Sequence, residues 1–103
     1  MPEIARKSGT DSVASPDGSG SKCKSPSTSA TNVGSSNVFV EGVGVVREGD
    51  TMASHPGPGC SPHAPALSTF SGTVFANNKK IGRKGDAYDG HTITSGSSKV
   101  FAG

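Results

Sequence analysis

Three histidines and two cysteines carry the soft-donor chemistry of this chain, and their spacing is ordered. His55 lies five residues after Asp50, and His91 lies five after Asp86. Cys23 falls twelve after Asp11 and His63 thirteen after Asp50, a near match. Three imidazoles and one thiolate make a closed tetrahedral set suited to Zn²⁺, and ferrous iron could fill a similar site. The expected metal ligands are therefore Cys23, His55, His63 and His91, with Cys60 as the alternative to Cys23. Cys23 would give each of three segments at least one ligand. Cys60 is compactly placed in His55-x4-Cys60-x2-His63, but its loop, Pro56-Gly57-Pro58-Gly59-Cys60-Ser61-Pro62, is stiff and could aim it elsewhere. A Cys23–Cys60 disulfide is the third option. Surface histidines and free thiols need no metal at all; the matched register of His55 and His91 argues for one. Asp89 is the only carboxylate seen beside a ligand, and a closed four-ligand site with no nucleophile–base pair is not that of an enzyme.

The elements that must hold these ligands come from an internal repeat. Ser36-Asn37-Val38-Phe39-Val40 recurs as Gly72-Thr73-Val74-Phe75-Ala76 and as Ser98-Lys99-Val100-Phe101-Ala102. Arg47-Glu48-Gly49-Asp50 recurs as Arg83-Lys84-Gly85-Asp86, with a degenerate copy at Ala5 to Asp11. The chain reads as one domain over residues 1–103, built of units at about 4–46, 47–82 and 83–103, the last cut short after Phe101. Each unit runs from an Arg-x-Gly-Asp turn through a loop of variable length to a Val-Phe strand, and every Cys and His lies in the loops. β-Branched and aromatic runs split by Glu41-Gly42 and Asn77-Asn78 predict hairpins with two-residue turns. No stretch has helical periodicity. The expectation is an all-β fold of three hairpin units related by an approximate threefold, with the loop ligands meeting at one end.

Composition demands such a staple. Ile, Leu, Val and Phe come to about 17% of the 103 residues, with one Leu and nine Val. Gly, Pro and Ser together approach 38%, a proportion that usually marks low complexity. The net charge of +2 lacks the other half of the disorder signature and is too small to imply nucleic-acid or membrane-surface binding. Lys79-Lys80 and Arg83-Lys84 read as a solvated hairpin rather than a nucleic-acid patch. No apolar run approaches the roughly 18 residues of a membrane span, and the N-terminus has no signal-peptide core. A structural metal, whose binding free energy appears as folding free energy, would supply what the sparse core lacks.

These residues resemble the PAAR-repeat proteins, the conical spike tips of contractile phage tails and type VI secretion systems. The resemblance rests on Gly34 to Gly42, Val46-Arg47-Glu48-Gly49-Asp50, Ser71 to Lys79 and the ending Ser95 to Gly103, and it covers nearly the whole chain. It departs from the family pattern in having Gly20-Ser21-Lys22-Cys23 in the first loop and Asp89-Gly90-His91 in the third. There the two ligand types look exchanged, still giving three His and one Cys. The resemblance implies a small conical fold pinned by one metal ion near its apex. It implies a non-enzymatic tip, one per homotrimeric β-helical spike, that sharpens the spike for piercing a target membrane and takes no small-molecule substrate. Strand edges around Val43, Val45 and Val46 would continue the spike's sheets. The setting implied is a virion baseplate, or secretion through an injection machine, without a fused effector. A free-standing zinc-stapled binding module is the alternative.

Overall fold

The Val-Phe runs become short antiparallel hairpins because the residues between them accept a left-handed backbone. The computed structural model, which describes all residues 1–103, pairs β3 (Phe39–Val40) with β4 (Val43–Gly44) and β7 (Phe75–Ala76) with β8 (Lys79–Lys80). The turns between them have φ of 52° and 79° at Glu41-Gly42 and of 55° and 62° at Asn77-Asn78. Positive φ at both central positions matches the twist of a hairpin, as expected. The third Val-Phe copy is not left short in space. The N-terminus supplies its missing strand: Glu3 bridges Phe101, and the Ala102 amide donates to the Pro2 carbonyl at 3.0 Å. The Ile4 amide donates to the Val100 carbonyl at 3.0 Å, as Val45 does to Val38 and Ile81 to Val74, both at 3.1 Å.

The three hairpins meet through a closed set of backbone hydrogen bonds. The Ala5 amide donates to the Gly82 carbonyl at 3.0 Å, Gly82 to Val46 at 2.8 Å, and Val46 back to Ala5 at 3.1 Å. A second ring runs outside it, from Lys7 to Gly44 (2.9 Å), Glu48 to Lys80 (2.7 Å) and Lys84 to Glu3 (2.8 Å). Side chains close a third. Ser35, Ser71 and Ser97 are fully buried, and each hydroxyl accepts the amides two and three residues on, fixing the turn before a Val-Phe strand. Each then donates onward, Ser35 to Asn77 Oδ1 at 2.7 Å, Ser71 to the Gly103 carbonyl oxygen and Ser97 to Glu41 Oε1.

The Arg-x-Gly-Asp turns are held by buried ion pairs. Asp50 Oδ2 accepts both the backbone amide and the Nε of Arg47 at 2.9 Å, while Oδ1 accepts Nη2 at 3.1 Å; Arg83 and Asp86 repeat these three distances. Arg6 holds Asp11 in the same way, at 2.7, 3.0 and 3.0 Å. Burial pushes the Asp11 carboxyl up, but the hydrogen bonds from Arg6 and Ser95 prevail and leave it below its usual value. A buried carboxylate is tolerable only with such a partner, which is why the Arg and Asp recur together.

Two apolar clusters result, because successive strand residues face opposite ways. Ile4, Val45 and Ile81 join Val40, Ala76 and Ala102 in one; Ala5 and Val46 join Val13, Met52, Leu67, Tyr88 and Ile93 in the other. The second cluster is backed by a four-stranded sheet in the order β2-β1-β10-β9, with β9 spanning Ala87–Tyr88 and β10 His91–Ile93. Strands β1 (Ser12–Ser19) and β2 (Ser25–Ala30) correct an expectation: the longest sequence loop is an extended two-stranded arm. Along β1 only Val13, Ser15 and Asp17 are turned inward, and small polar residues at the others disguise the alternation. The molecule is all-β apart from two 3-10 turns and measures 39 × 23 × 21 Å.

Gly44 is the tightest point of the hairpin set. A Cβ there would lie 2.8 Å from Lys7 Cε and would overlap the Ser35 carbonyl oxygen, which cannot move without breaking the serine ring. Gly44→Ala is expected to cost about 3 kcal/mol, lowering Tm on the order of 15 °C. Gly72→Ala, which meets nothing, should leave the melting curve in place.

Candidate metal centre

The loops beyond the second apolar cluster bring three imidazoles and one carboxylate to a point. His55 opens β5 (His55–Pro56), which pairs with β6 (Pro62–His63), so that His55 and His63 are direct cross-strand partners. His91 opens β10 after the Asp89-Gly90 turn and pairs with Tyr88. Asp17 comes from the inward face of β1, in line with Val13 and Ser15. His55, His91 and Asp17 are buried, and the His63 side chain is 35% exposed.

His55 Nε2 lies 2.8 Å from His63 Nε2 and 3.1 Å from His91 Nε2. Asp17 Oδ1 lies 3.0, 3.4 and 3.5 Å from the Nε2 atoms of His55, His63 and His91. Four donors at bond lengths of about 2.0–2.1 Å from a tetrahedral centre are themselves ~3.3 Å apart. The five separations above, 2.8–3.5 Å, bracket that value. The outer nitrogens identify the tautomer: His55 Nδ1 donates to the Ala53 carbonyl at 3.2 Å, and His91 Nδ1 to the Asp89 carbonyl at 3.1 Å. Both Nε2 atoms then present lone pairs to each other and to a carboxylate. Such a set is repulsive by itself and attractive around a cation, and orientation of each imidazole by a carbonyl is the usual support of a ligating histidine. The cluster of Asp17, His55, His63 and His91 could hold a metal ion.

The carboxylate is prepared for this. Burial raises the Asp17 pKa, but the hydrogen bond from Ser15 at 2.8 Å, with the His63 and His55 rings beside it, outweighs that and brings the group down to about 2. Ser15 is itself buried, 3.2 Å from His55 Nε2, and its oxygen also accepts the Asp17 amide at 3.3 Å. It holds Asp17 at both its carboxylate and its backbone amide.

All three expected histidines are therefore gathered together, and the expected sulfur is not. Cys23 and Cys60 are joined in a disulfide, which corrects their assignment as metal ligands. They sit on the 3-10 turns Ser21–Cys23 and Pro58–Cys60, which pack against each other at the surface. Asp17 takes the fourth place instead. It lies six residues past Asp11, one off the register of His55 and His91, in a Pro16-Asp17-Gly18 segment that has the composition of a turn. The inward alternation with Val13 was the signal that could have found it. Asp89 contributes its carbonyl rather than its carboxylate.

The expected docking edge is corrected as well. Val45 and Val46 are buried, and Val43 is half-buried and pairs with Val40. The Val45 amide donates to Val38 and its carbonyl accepts Ser35, while the Val46 amide and carbonyl belong to the inner ring. Nothing is left there to extend a sheet. What the hairpins expose is aromatic: Phe39 at 56%, Phe75 at 55% and Phe101 at 45%, the same position in each Val-Phe copy, with Met1 beside the last. The basic stretch is engaged locally, with Arg83 on Asp86, Lys80 over the Phe70 ring at 5.6 Å and Lys84 4.0 Å from Glu3.

The disulfide joins residues 37 apart. A loop of that length should contribute about 4 kcal/mol by chain entropy. Thiol titration of the denatured, unreduced chain is expected to find no free thiol, and reduction should lower Tm; two titratable thiols before reduction would refute the pairing. Comparison with protein-family models and with curated proteins found no match to this chain.

Proposed function

We propose that this chain is a structural, metal-stapled spike tip that seats on the end of a homotrimeric β-helical spike in a contractile injection machine, of the phage-baseplate or type VI secretion kind. The observation that carries the reading is the set of three exposed phenylalanines at equivalent hairpin positions. A trimer's end presents each of its surfaces three times, and a single chain can match it only by repeating its own surface three times. The cyclic contacts among the copies favour an approximate threefold. Large exposed aromatic side chains on a chain so poor in apolar residues mark a surface that is covered in use. The seat is then the Phe39, Phe75 and Phe101 face, with apolar packing replacing strand addition at Val43 to Val46.

The opposite end is the apex, where the metal ties three loops that no apolar core reaches. Zn²⁺ suits three imidazoles and one carboxylate in a closed tetrahedron, and Fe²⁺ is compatible with the same donors. With all four positions filled by protein, the ion's role is to hold the loops against splaying, and the reading includes no catalytic step.

Metal analysis of the purified chain is expected to find about one equivalent of zinc or iron, and none in His55→Ala or His91→Ala, which should also melt well below the native protein. A folded native chain with no metal affinity would refute the staple. Acidification should release the ion, because an imidazole must be neutral to bind it. The Asp17 carboxyl, at about 2, stays charged through that step. Its own contribution to stability is complete above the ordinary carboxylate pKa near 3.8 and is lost as pH falls from there toward 2.

For the seat, the chain mixed with its cognate homotrimeric β-helical spike should form a complex of one tip to three spike chains, measured by light scattering. Replacing Phe39, Phe75 and Phe101 together by Ser should abolish the complex while leaving metal content unchanged. A native tip that stays monomeric beside its spike would favour a free-standing module.

A further inference from the structure

We infer that the metal centre is built to keep its ion under oxidising conditions, because its donor set holds no sulfur and Asp17 stands in the fourth place. The inference rests on the metal reading of the cluster and concerns its redox behaviour. Both cysteine sulfurs of the chain are consumed by one covalent bond. That bond lies on surface turns, with Cys60 exposed and Cys23 half-buried, whereas Asp17, His55 and His91 are buried. The fourth donor is an oxygen, locked by the Ser15 hydroxyl and accompanied by two imidazoles whose outer nitrogens are already bonded to carbonyls.

The chemical consequence follows from the donor atoms. A ligating thiolate attacks one oxygen of hydrogen peroxide, the O–O bond breaks, hydroxide leaves, and the resulting sulfenic acid is a poor metal ligand. A carboxylate offers peroxide no such reaction, and two sulfurs joined in a disulfide include no thiolate to attack it. Oxidants and thiol reagents therefore act, if anywhere, at the exposed turns or at the exposed Met1 thioether, and leave the four ligands as they are. A tip working outside a cell needs this property, since glutathione does not protect a thiolate there.

The test uses the full chain loaded with Zn²⁺, which has no redox chemistry of its own, freed of excess metal and exposed to hydrogen peroxide. The native chain should retain about one zinc with and without peroxide. Cys23→Ser/Cys60→Ser should bind the same stoichiometry and retain it equally, while Asp17→Ala should lose most of its zinc before any oxidant is added. Zinc that binds the native chain and is released by peroxide would overturn this inference alone. A double Ser variant that folds yet binds no zinc would do the same, by returning sulfur to the coordination sphere. If that variant does not fold, retention by the native chain decides the matter. A native chain that takes up no zinc overturns the metal reading beneath, which is a distinguishable result.

Discussion

The structure depends on three backbone hydrogen bonds that form a closed triangle among Ala5, Val46 and Gly82. Each residue spends one donor and one acceptor on its neighbours, so the three strands satisfy each other and leave no open edge at the centre. The triangle also limits what can stand there. Ala5 and Val46 are fully buried, and a Cβ on Gly82 would lie 2.8 Å from Leu67 Cδ2 and 3.3 Å from Val46 Cγ1. Small residues let three backbones approach, and this close approach lets a chain with so few large apolar side chains form a core at all. The residue before each corner points to one apolar cluster, and the residue after each is the arginine that neutralises a buried aspartate. Register at the triangle thereby sets both.

Much of this was legible in the sequence, and the parts that were not share a cause. The hairpin turns could be read because Glu41-Gly42 and Asn77-Asn78 are residue pairs between β-branched runs that reach positive φ. The histidines could be read because His55 and His91 keep the same distance from the Asp of a turn. In each case the signal was local. The errors concern which distant segments touch. Val45 and Val46 read as an available edge because the sequence does not show that Ala5 and Gly82 use their backbone groups. The third hairpin read as cut short because its second strand lies at the other end of the chain.

The misassigned ligand has the same origin with a chemical twist. Cysteine is scarce and carboxylates are common, so spacing arguments start from Cys23 and pass over Asp17. Only the arm formed by β1 and β2 turns Asp17 inward, and its Ser, Pro and Gly content hides a strand whose partner at that point, β2, lies outside the core. The two cysteines lie on turns that pack against each other, but a 37-residue separation says nothing about such packing.

Why the far end would gain from a metal as well as a disulfide follows from what is missing there. Between Ala14 and Ala30, and again between Ala53 and Ala66, no aliphatic side chain exceeds alanine, and the half-cystines and prolines are the only other nonpolar groups. Those two segments cannot hold each other by burying apolar area, which contributes only about 25 cal/mol per Å². They are also where the chain buries Ser15, Asp17 and His55, groups that cost free energy when buried without partners. A cation would convert that cost into binding, since the same lone pairs that repel across about 3 Å would become its ligands. The disulfide acts on different atoms of the same two segments and works through the unfolded chain. Directional bonds thus take over where the apolar clusters end, and Val13 and Ile93, paired across β1 and β10, mark the boundary.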